Sequence, residues 1–190
     1  MLQLLLPALN SEEPGLRQEA LSGILSLRPD GTAAVPHLIE RLSAEDPAKR
    51  EQAIDLLGRM GDDAAAAAPK LIEVLDQAEE GEKKLIQNAF VEMGPASIRG
   101  VLDSAKDIPL TKLSGEIWQA DCMGNIGIQA VPSLMRALKE HPGNGAGLLS
   151  LIALQKIGDK SPTTRQAILP LLEHVQPVFR STALLSLIHI

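Results

Sequence analysis

Apolar residues recur along the chain at helical spacing, in short stretches that proline or glycine separates. One stretch places apolar side chains on a single helix face by the i, i+3, i+4, i+7 rule, at Val35, Leu38, Ile39 and Leu42. The next stretch carries a similar stripe, at Ala53, Ile54, Leu57 and Met60. The pattern predicts two amphipathic helices joined by a turn at Asp46 and Pro47, with Asp46 as the N-cap.

This helix pair belongs to an internal repeat that two independent series of residues mark. The segment at 34–42 matches those at 67–75 and 130–138, so the first two copies lie 33 residues apart and the third lies 63 further on. A second series ends in glycines that are spaced 33, 33 and 31 residues apart, namely Gly61, Gly94, Gly127 and Gly158. The shared period predicts a repeat of helix A, a turn, helix B and a glycine-containing link.

The marker residues have physical roles at helix ends. Pro36, Pro69 and Pro132 stand at predicted helix starts, where the missing N–H costs nothing. The four glycines follow helices B, where a C′ residue in the αL conformation suits glycine. Turn residues recur between the helices of each pair, at Pro14, Pro47, Gly81, Pro109, Pro142 and Pro177.

The repeats predict an all-α fold, a right-handed α-α superhelix (solenoid) of about six helix pairs. One pair cannot bury its stripe alone, so stacking on neighbouring pairs must close the core. We expect an array over 1–184 with pairs near 1–28, 34–61, 67–94, 97–127, 130–158 and 164–184 or beyond. The fourth pair departs most, because Ala96 stands where proline is expected. Pro7 and Pro170 fall inside helices A and are expected to interrupt them.

Composition supports helices and argues against several functions. Tyr is absent and there are only two Phe and one Trp, whereas strands favour aromatic and β-branched residues. A net charge of -6 argues against non-specific nucleic-acid binding. No apolar stretch is long enough to span a membrane. The compartment is not fixed, although the cytoplasm is favoured.

Candidate chemistry is scarce, and we expect no catalytic residue, metal or cofactor. The four histidines lack zinc-binding spacing, and His37, His141 and His174 are expected to be solvated. The glycine-rich segment at 142–147 joins two helices and lacks the Lys-Ser/Thr ending of a phosphate loop, so we expect a loosened helix start. Cys122 is expected to be a buried, inert thiol.

The Ala-Val-Pro-x-Leu starts and Ile-Gly ends resemble those of the HEAT superfamily, in particular bacterial HEAT-like repeats of the phycobilisome-lyase type. Helix B of that family often carries Arg-x-x-Ala, which Arg17, Arg50 and Arg180 begin here. The resemblance covers nearly the whole chain. It implies a protein-binding scaffold, and for some members an action on bilin chromophores.

The last six residues, 185–190, resemble the in-frame translation of a transposon adapter used in sequencing libraries. Aligned on Arg50, the last helix would stop one residue before its glycine, without a cap. Our hypothesis is that this tail is not native and that the protein continues with further repeats. The alternative is a natural, apolar C-terminal helix.

The leading functional hypothesis is a scaffold or adaptor that binds a protein or peptide through the concave surface of its helices B. The candidate binding residues are Arg17, Arg50, Glu51, Asp55, Lys83, Gln87, Trp118 and Gln119. Each of them could instead be an ordinary solvated side chain, and Trp118 could fill space in the irregular fourth pair. Two alternatives stay open: an enzyme of the bilin lyase or isomerase type, and a regulatory module of a larger enzyme.

Overall fold

The computed structural model describes residues 1–11, 13–27, 30–113 and 117–189. These residues form α-helices linked by short 3-10 helices and turns, and the described part contains no β-strand. The chain divides into two compact units, Met1–Ser97 (unit 1) and Ile98–Ile190 (unit 2). Each unit is a stack of antiparallel helix pairs of the solenoid type.

Unit 1 contains three helix pairs in which a short helix A precedes a longer helix B. The pairs are α1 (Leu2–Ala8) with α2 (Pro14–Ser26), α3 (Val35–Arg41) with α4 (Pro47–Met60), and α5 (Ala68–Gln77) with α6 (Glu80–Met93). Short 3-10 helices precede α3 and α5 and follow α6, at Asp30–Ala34, Gly61–Ala67 and Gly94–Ser97. The predicted cap is confirmed, because the Asp46 side chain accepts a hydrogen bond from the Ala48 N–H at 3.0 Å.

Unit 2 repeats this plan less regularly. Its pairs are α7 (Ile98–Ala105) with α8 (Trp118–Ile126), α9 (Val131–Glu140) with α10 (Gly145–Ile157), and α11 (Pro162–Ile168) with α12 (Pro177–His189). Pro170 lies in a 3-10 segment, Leu169–Glu173, that follows α11, so the predicted interruption occurs there. Within α12, Ser186 is buried whereas Leu184, Leu185 and Ile188 are exposed. Ile190 lies outside the described residues, and the origin of the tail stays a prediction.

The predicted apolar stripes form the core of each unit. Val35 and Leu38 of α3 and Leu42, which directly follows it, are buried, and so are the four stripe residues of α4. Consecutive helices B pack closely through small residues: a methyl group on Gly58 would lie 3.0 Å from the Cα atom of Ala89 in α6. Gly124 occupies the same repeat position in α8, where a methyl group would lie 3.0 Å from Lys156 Cβ of α10. Gly58 and Gly124 therefore allow these two pairs of neighbouring helices B to approach closely.

The glycines that end helices B have positive φ as expected, but the predicted αL conformation is wrong for three of them. Gly158 is in the αL region, with φ 66° and ψ 34°. Gly61, Gly94 and Gly127 instead combine φ of 65°, 66° and 78° with ψ of −137°, −152° and −150°. The reason is the next element, since each of these three glycines opens a 3-10 helix directly and the chain makes no intervening loop.

The glycine-rich segment also differs from the prediction, because it is closely packed and not loosened. Gly145 and Gly147 are buried in the first turn of α10. A methyl group on Gly145 would collide with the carbonyl oxygen of Ala105, and one on Gly147 would collide with that of His141. Glycine is therefore required here for backbone contact, and Asn144 caps the helix by accepting from the Gly147 N–H at 3.2 Å.

Candidate functional site

The eight predicted binding residues fall in both compact units. Trp118 and Gln119 begin α8 in unit 2, where both are partly buried. The other six lie on helices B of unit 1: Arg17, Arg50, Glu51, Asp55, Lys83 and Gln87. A surface within unit 1 can therefore include only those six of the eight.

Arg50 lies in the first turn of α4 and holds two neighbouring repeats together. Its Nε donates to Glu82 Oε1 at 2.7 Å, and a terminal nitrogen donates to Glu82 Oε2 at 3.2 Å. The other terminal nitrogen donates to the carbonyl oxygens of Ala44 and Glu45, at 2.9 and 3.1 Å. The hydrogen bonds with Glu82 raise the pKa of the Arg50 guanidinium. All three nitrogens of the Arg50 guanidinium therefore donate hydrogen bonds, and Arg50 stabilises the turn that precedes α4.

Arg17 and Arg180 occupy the same repeat position and bind the equivalent carbonyls. Arg17 donates to the carbonyl oxygen of Ser11 at 2.8 Å, six residues upstream. Arg180 donates to those of His174 and Val175, at 2.7 and 2.9 Å. We name Arg17, Arg50 and Arg180 the turn arginines. In the fifth repeat, Gly147 stands at this position. There the carbonyl oxygen of His141, six residues upstream, packs directly against the backbone of Gly147.

The turn arginines explain a signal that the sequence carries but that its interpretation missed. An arginine near the start of a helix B was predicted to point toward a partner. In the structure it reaches back to carbonyl groups in the turn between helices A and B. The recurrence of arginine at a fixed distance after the turn could have suggested this function.

The remaining predicted residues of unit 1 lie on or beside an exposed face of α4 and α6. Glu51 and Asp55 are exposed on α4, and Arg59 follows one turn later, where it donates to Asp55 at 3.5 Å. Lys83 and Gln87 are partly buried on α6, beside exposed residues. We name the exposed residues the helix-B face: Glu51, Asp55, Arg59, Lys84, Asn88 and Glu92.

Two clefts lie on the helix-A side of unit 1, which sequence reasoning did not anticipate. The Val74 cleft has a volume of about 410 Å³ and is lined by α5, by the turns that follow α3 and α5, and by the first turns of α4 and α6; Leu42, Lys70, Glu73 and Arg50 are among its residues. The Arg41 cleft has a volume of about 750 Å³ and lies between α1 and α3, where Pro7, Leu9 and Glu40 line it.

The two clefts occupy equivalent positions in successive repeats. Residues 33 apart line them in pairs: Leu9 with Leu42, Asn10 with Ser43, His37 with Lys70, Glu40 with Glu73, Arg41 with Val74, and Ala44 with Gln77. Lys70 donates to Glu73 at 2.8 Å in the Val74 cleft. Unit 1 therefore presents one kind of cleft twice, one repeat apart.

Arg41 is the largest difference between the two clefts. Its terminal nitrogens donate to Asn10 Oδ1 and, at 3.3 Å, to Gln52 Oε1. Its Nε is buried and has no hydrogen-bond partner among the described residues. Loss of hydration lowers the pKa of the Arg41 guanidinium, and the nearby Asp46 carboxylate partly offsets this effect. Arg41 thus ties α3 to the turn before α2 and to α4.

The structure also places the other residues considered for chemistry. Cys122 is buried as predicted, and loss of hydration raises the pKa of its thiol to about 12. His37 is exposed as predicted. His174 is not simply solvated, because its ring lies 4.4 Å from that of Phe179 and its Nδ1 accepts from the Gln176 N–H. Within the described ranges, no three His, Cys, Asp or Glu side chains form a metal-binding group.

No helix in the described part of the chain is long and apolar enough to cross a membrane.

Phe90 and Phe179 are fully buried in the cores of their units, and neither lines the Arg41 cleft or the Val74 cleft. Trp118 is partly buried at the first residue of α8.

Comparison with known proteins finds similarity to helical repeat proteins. Residues 2–89 match the family model of HEAT repeats. The chain is 16% identical to a designed armadillo repeat protein in complex with the peptide (KR)4, covering 99% of this chain and 98% of that one with a TM-score of 0.42. It is 20% identical to a chain in the complex of CpcE and CpcF of phycocyanin lyase from Nostoc sp. PCC7120. That match covers 97% of this chain and 74% of the other, with a TM-score of 0.45.

An archaeal HEAT-like repeats protein from Thermococcus onnurineus NA1 is 14% identical, covering 99% of this chain and 86% of that one with a TM-score of 0.44. No curated protein sequence matches this chain.

Proposed function

Because residues 2–89 match the family model of HEAT repeats, we propose that the chain is a non-enzymatic scaffold that binds a protein or peptide on the helix-B face of unit 1. One observation carries the proposal: equivalent exposed positions on α4 and α6 form three polar rows across neighbouring helices. The rows pair Glu51 with Lys84, Asp55 with Asn88, and Arg59 with Glu92. Stacked helices offer an extended surface of this kind to long partners.

The charge pattern of the face favours a protein partner over a nucleic acid. Its first row runs from acid to base and its third from base to acid, so that neither sign dominates. Nucleic-acid surfaces instead collect Lys and Arg to replace the counterions of phosphates. The sign changes would select which partners bind and in which register, since charges at the rim of an interface act on specificity and association rate.

The test is a selection of binders from a random peptide library with the full chain, followed by affinity measurements on a paired set of variants. Reversing Glu51 and Asp55 (Glu51→Lys with Asp55→Lys) should weaken the selected peptides by about tenfold, or about 1.4 kcal/mol. Reversing Glu40 and Glu73 on the helix-A side changes the net charge equally and serves as the control. Selected peptides that bind the Glu51/Asp55 variant and the control equally would overturn the proposal.

The same chain can be mixed with a free bilin to test the enzymatic alternative. A scaffold without a chromophore site should leave the visible absorption band of the bilin unchanged. A shifted band that Trp118→Ala abolishes would contradict the non-enzymatic proposal and favour a chromophore-binding protein.

A further inference from the structure

The helix-B face of unit 1 contains a place where two neighbouring helices bring carboxylates together. We propose that Asp55 of α4 and Glu92 of α6 form a subsite that receives one lysine or arginine side chain of the bound protein or peptide. The subsite rests on the proposed function and deepens it, since it gives this face a preferred side chain in its partner.

Glu92 crosses the neighbouring helix α4 beside Asp55. A methyl group on Gly58 would lie 2.7 Å from Glu92 Oε2. Gly58 follows Asp55 by three residues, and Cβ atoms at that spacing lie about 5–6 Å apart on a helix. Glu92 Oε2 therefore lies within about 9 Å of Asp55 Cβ. One basic side chain can contact both carboxylates across a gap of this size.

The equivalent positions in unit 2 hold an acid and a base. Counted back from the glycines that end helices B, Asp121 of α8 corresponds to Asp55, and Lys156 of α10 corresponds to Glu92. Lys156 Nζ lies 2.5 Å from Asp121 Oδ1. Lys156 also crosses α8 at the equivalent glycine, since its Cβ would lie 3.0 Å from a methyl group on Gly124. The repeat therefore places an ammonium group beside the aspartate at this pair of positions.

Unit 1 has the aspartate but has an acid in place of the lysine. Arg59, one turn after Asp55, donates to Asp55 at 3.5 Å, so the three side chains carry two negative charges and one positive charge. Among the residues that the structure describes, Glu92 forms no ion pair with a basic side chain. Asp55 and Glu92 are both exposed, so a partner can reach them. A basic side chain of the partner would supply the positive charge that Lys156 supplies in unit 2.

The number of ligands favours a basic side chain over a metal ion. Calcium takes about six to eight oxygen ligands, whereas the subsite offers two carboxylates. In the described ranges, no three His, Cys, Asp or Glu side chains come together to hold a metal ion. An ammonium group needs fewer partners, as the pair of Lys156 with Asp121 shows.

A first test measures the subsite without any partner. Glu92→Lys places a lysine where unit 2 has Lys156, and differential scanning fluorimetry should show a thermal midpoint about 1–2 °C higher than that of the unmodified chain. In an Asp55→Asn background, Glu92→Lys should not raise the midpoint, because the stabilising interaction needs both groups. Glu40→Lys is the control, since it changes the charge equally at an exposed acid on the helix-A side. A rise that does not depend on Asp55, or an equal rise in the control, would overturn the subsite.

A second test uses the peptides that the full chain selects from a random library. Those that depend on Glu51 and Asp55 should share a lysine or arginine at one position. Replacing that residue with methionine, which is uncharged and unbranched, should weaken binding to the unmodified chain about fivefold. The same replacement should leave binding to Glu92→Lys unchanged, because the new lysine already occupies the subsite.

The outcomes separate this subsite from the proposed function. Selected peptides that depend on Glu51 and Asp55 but share no basic residue would overturn the subsite and leave the proposed function standing. An equal effect of the methionine replacement on the unmodified chain and on Glu92→Lys would do the same. Selection of no peptide that depends on Glu51 and Asp55 would overturn both.

Discussion

At the residue scale, the glycines after helices B differ in how replaceable they are. Gly158 adopts the αL conformation, which asparagine tolerates better than most residues. Gly94 has a similar φ, but its ψ of −152° lies in a region that is essentially restricted to glycine. No atom lies closer than 3.7 Å to a methyl group built on either residue, so the two sites differ in backbone conformation and not in space.

This pair gives a matched prediction. Gly94→Asn should lower the free energy of unfolding by about 1–3 kcal/mol, because the backbone must be strained or must move. Gly158→Asn should lower the free energy of unfolding by clearly less. Urea denaturation followed by circular dichroism measures the free energy of unfolding of both variants. Equal losses of stability would show that asparagine is tolerated equally well in the two backbone conformations.

A second residue-scale prediction concerns Asp159, at the start of the last helix pair. Its carboxylate accepts from the hydroxyls of Thr164 and Ser161, at 2.6 and 2.7 Å, and from the Ser161 N–H at 3.2 Å. The Thr164 hydroxyl, followed by that of Ser161, lowers the pKa of Asp159. The carboxylate therefore stabilises the folded state above its unfolded-state pKa, near 3.9, and this contribution is lost as the pH falls through the folded-state value.

Asp159→Asn should consequently reduce the dependence of stability on pH below about pH 4. The measurement is the urea midpoint of α11 and α12 unfolding as a function of pH, with the exposed Glu140→Gln as the control. If the Asn variant loses stability with acid as steeply as the unmodified chain, the hydroxyl network does not stabilise the charged form.

At the element scale, the turn arginines connect helix A, the turn and helix B. Arg50 goes further, since it also binds both oxygens of Glu82 in the next repeat. Lysine carries the same charge but lacks the fork that reaches the carbonyls and the carboxylate together. The function of Arg50 therefore depends on geometry more than on charge.

We predict that Arg50→Lys lowers the thermal midpoint nearly as much as Arg50→Ala. Lys83 is at the equivalent position of the next repeat, so Lys83→Ala is the matched control and should have a smaller effect. Differential scanning fluorimetry measures the midpoints. Full rescue by lysine would mean that charge alone stabilises this turn.

The helices were easier to predict from the sequence than the side-chain contacts between them. The period of proline, glycine and apolar residues is set by local backbone preferences and by one buried face, so the helix pairs followed from it. The hydrogen-bond acceptors of Arg50 and Arg41 are carbonyl and amide groups that folding brings near these side chains. The type of residue at positions 50 and 41 does not reveal which groups these are. The clefts depend on the separation of neighbouring helices A, which a repeat pattern leaves undetermined. The conformation of Gly61 was missed because the 3-10 helix after it has no marker in sequence.

At the scale of the whole molecule, charge is divided unevenly between the two compact units. The acids of unit 1 outnumber its bases by 17 to 9, and unit 2 has a slight excess of bases. Like charges on one compact body repel each other and destabilise it. Several acids of unit 1 are exposed, so salt can screen this repulsion.

We therefore expect salt to stabilise the two units unequally. Raising sodium chloride from about 0.01 to 0.5 M shortens the screening length from about 30 Å to less than 10 Å. Amide hydrogen exchange in α4 and α6 should slow, while exchange in α9 and α10 should change less. Chloride is preferable to sulfate, because sulfate strengthens apolar burial in both units. The Glu51→Lys with Asp55→Lys variant removes part of the negative charge and should reduce the response of unit 1. Equal slowing in both units would show that the salt acts through burial and not through the excess of acids.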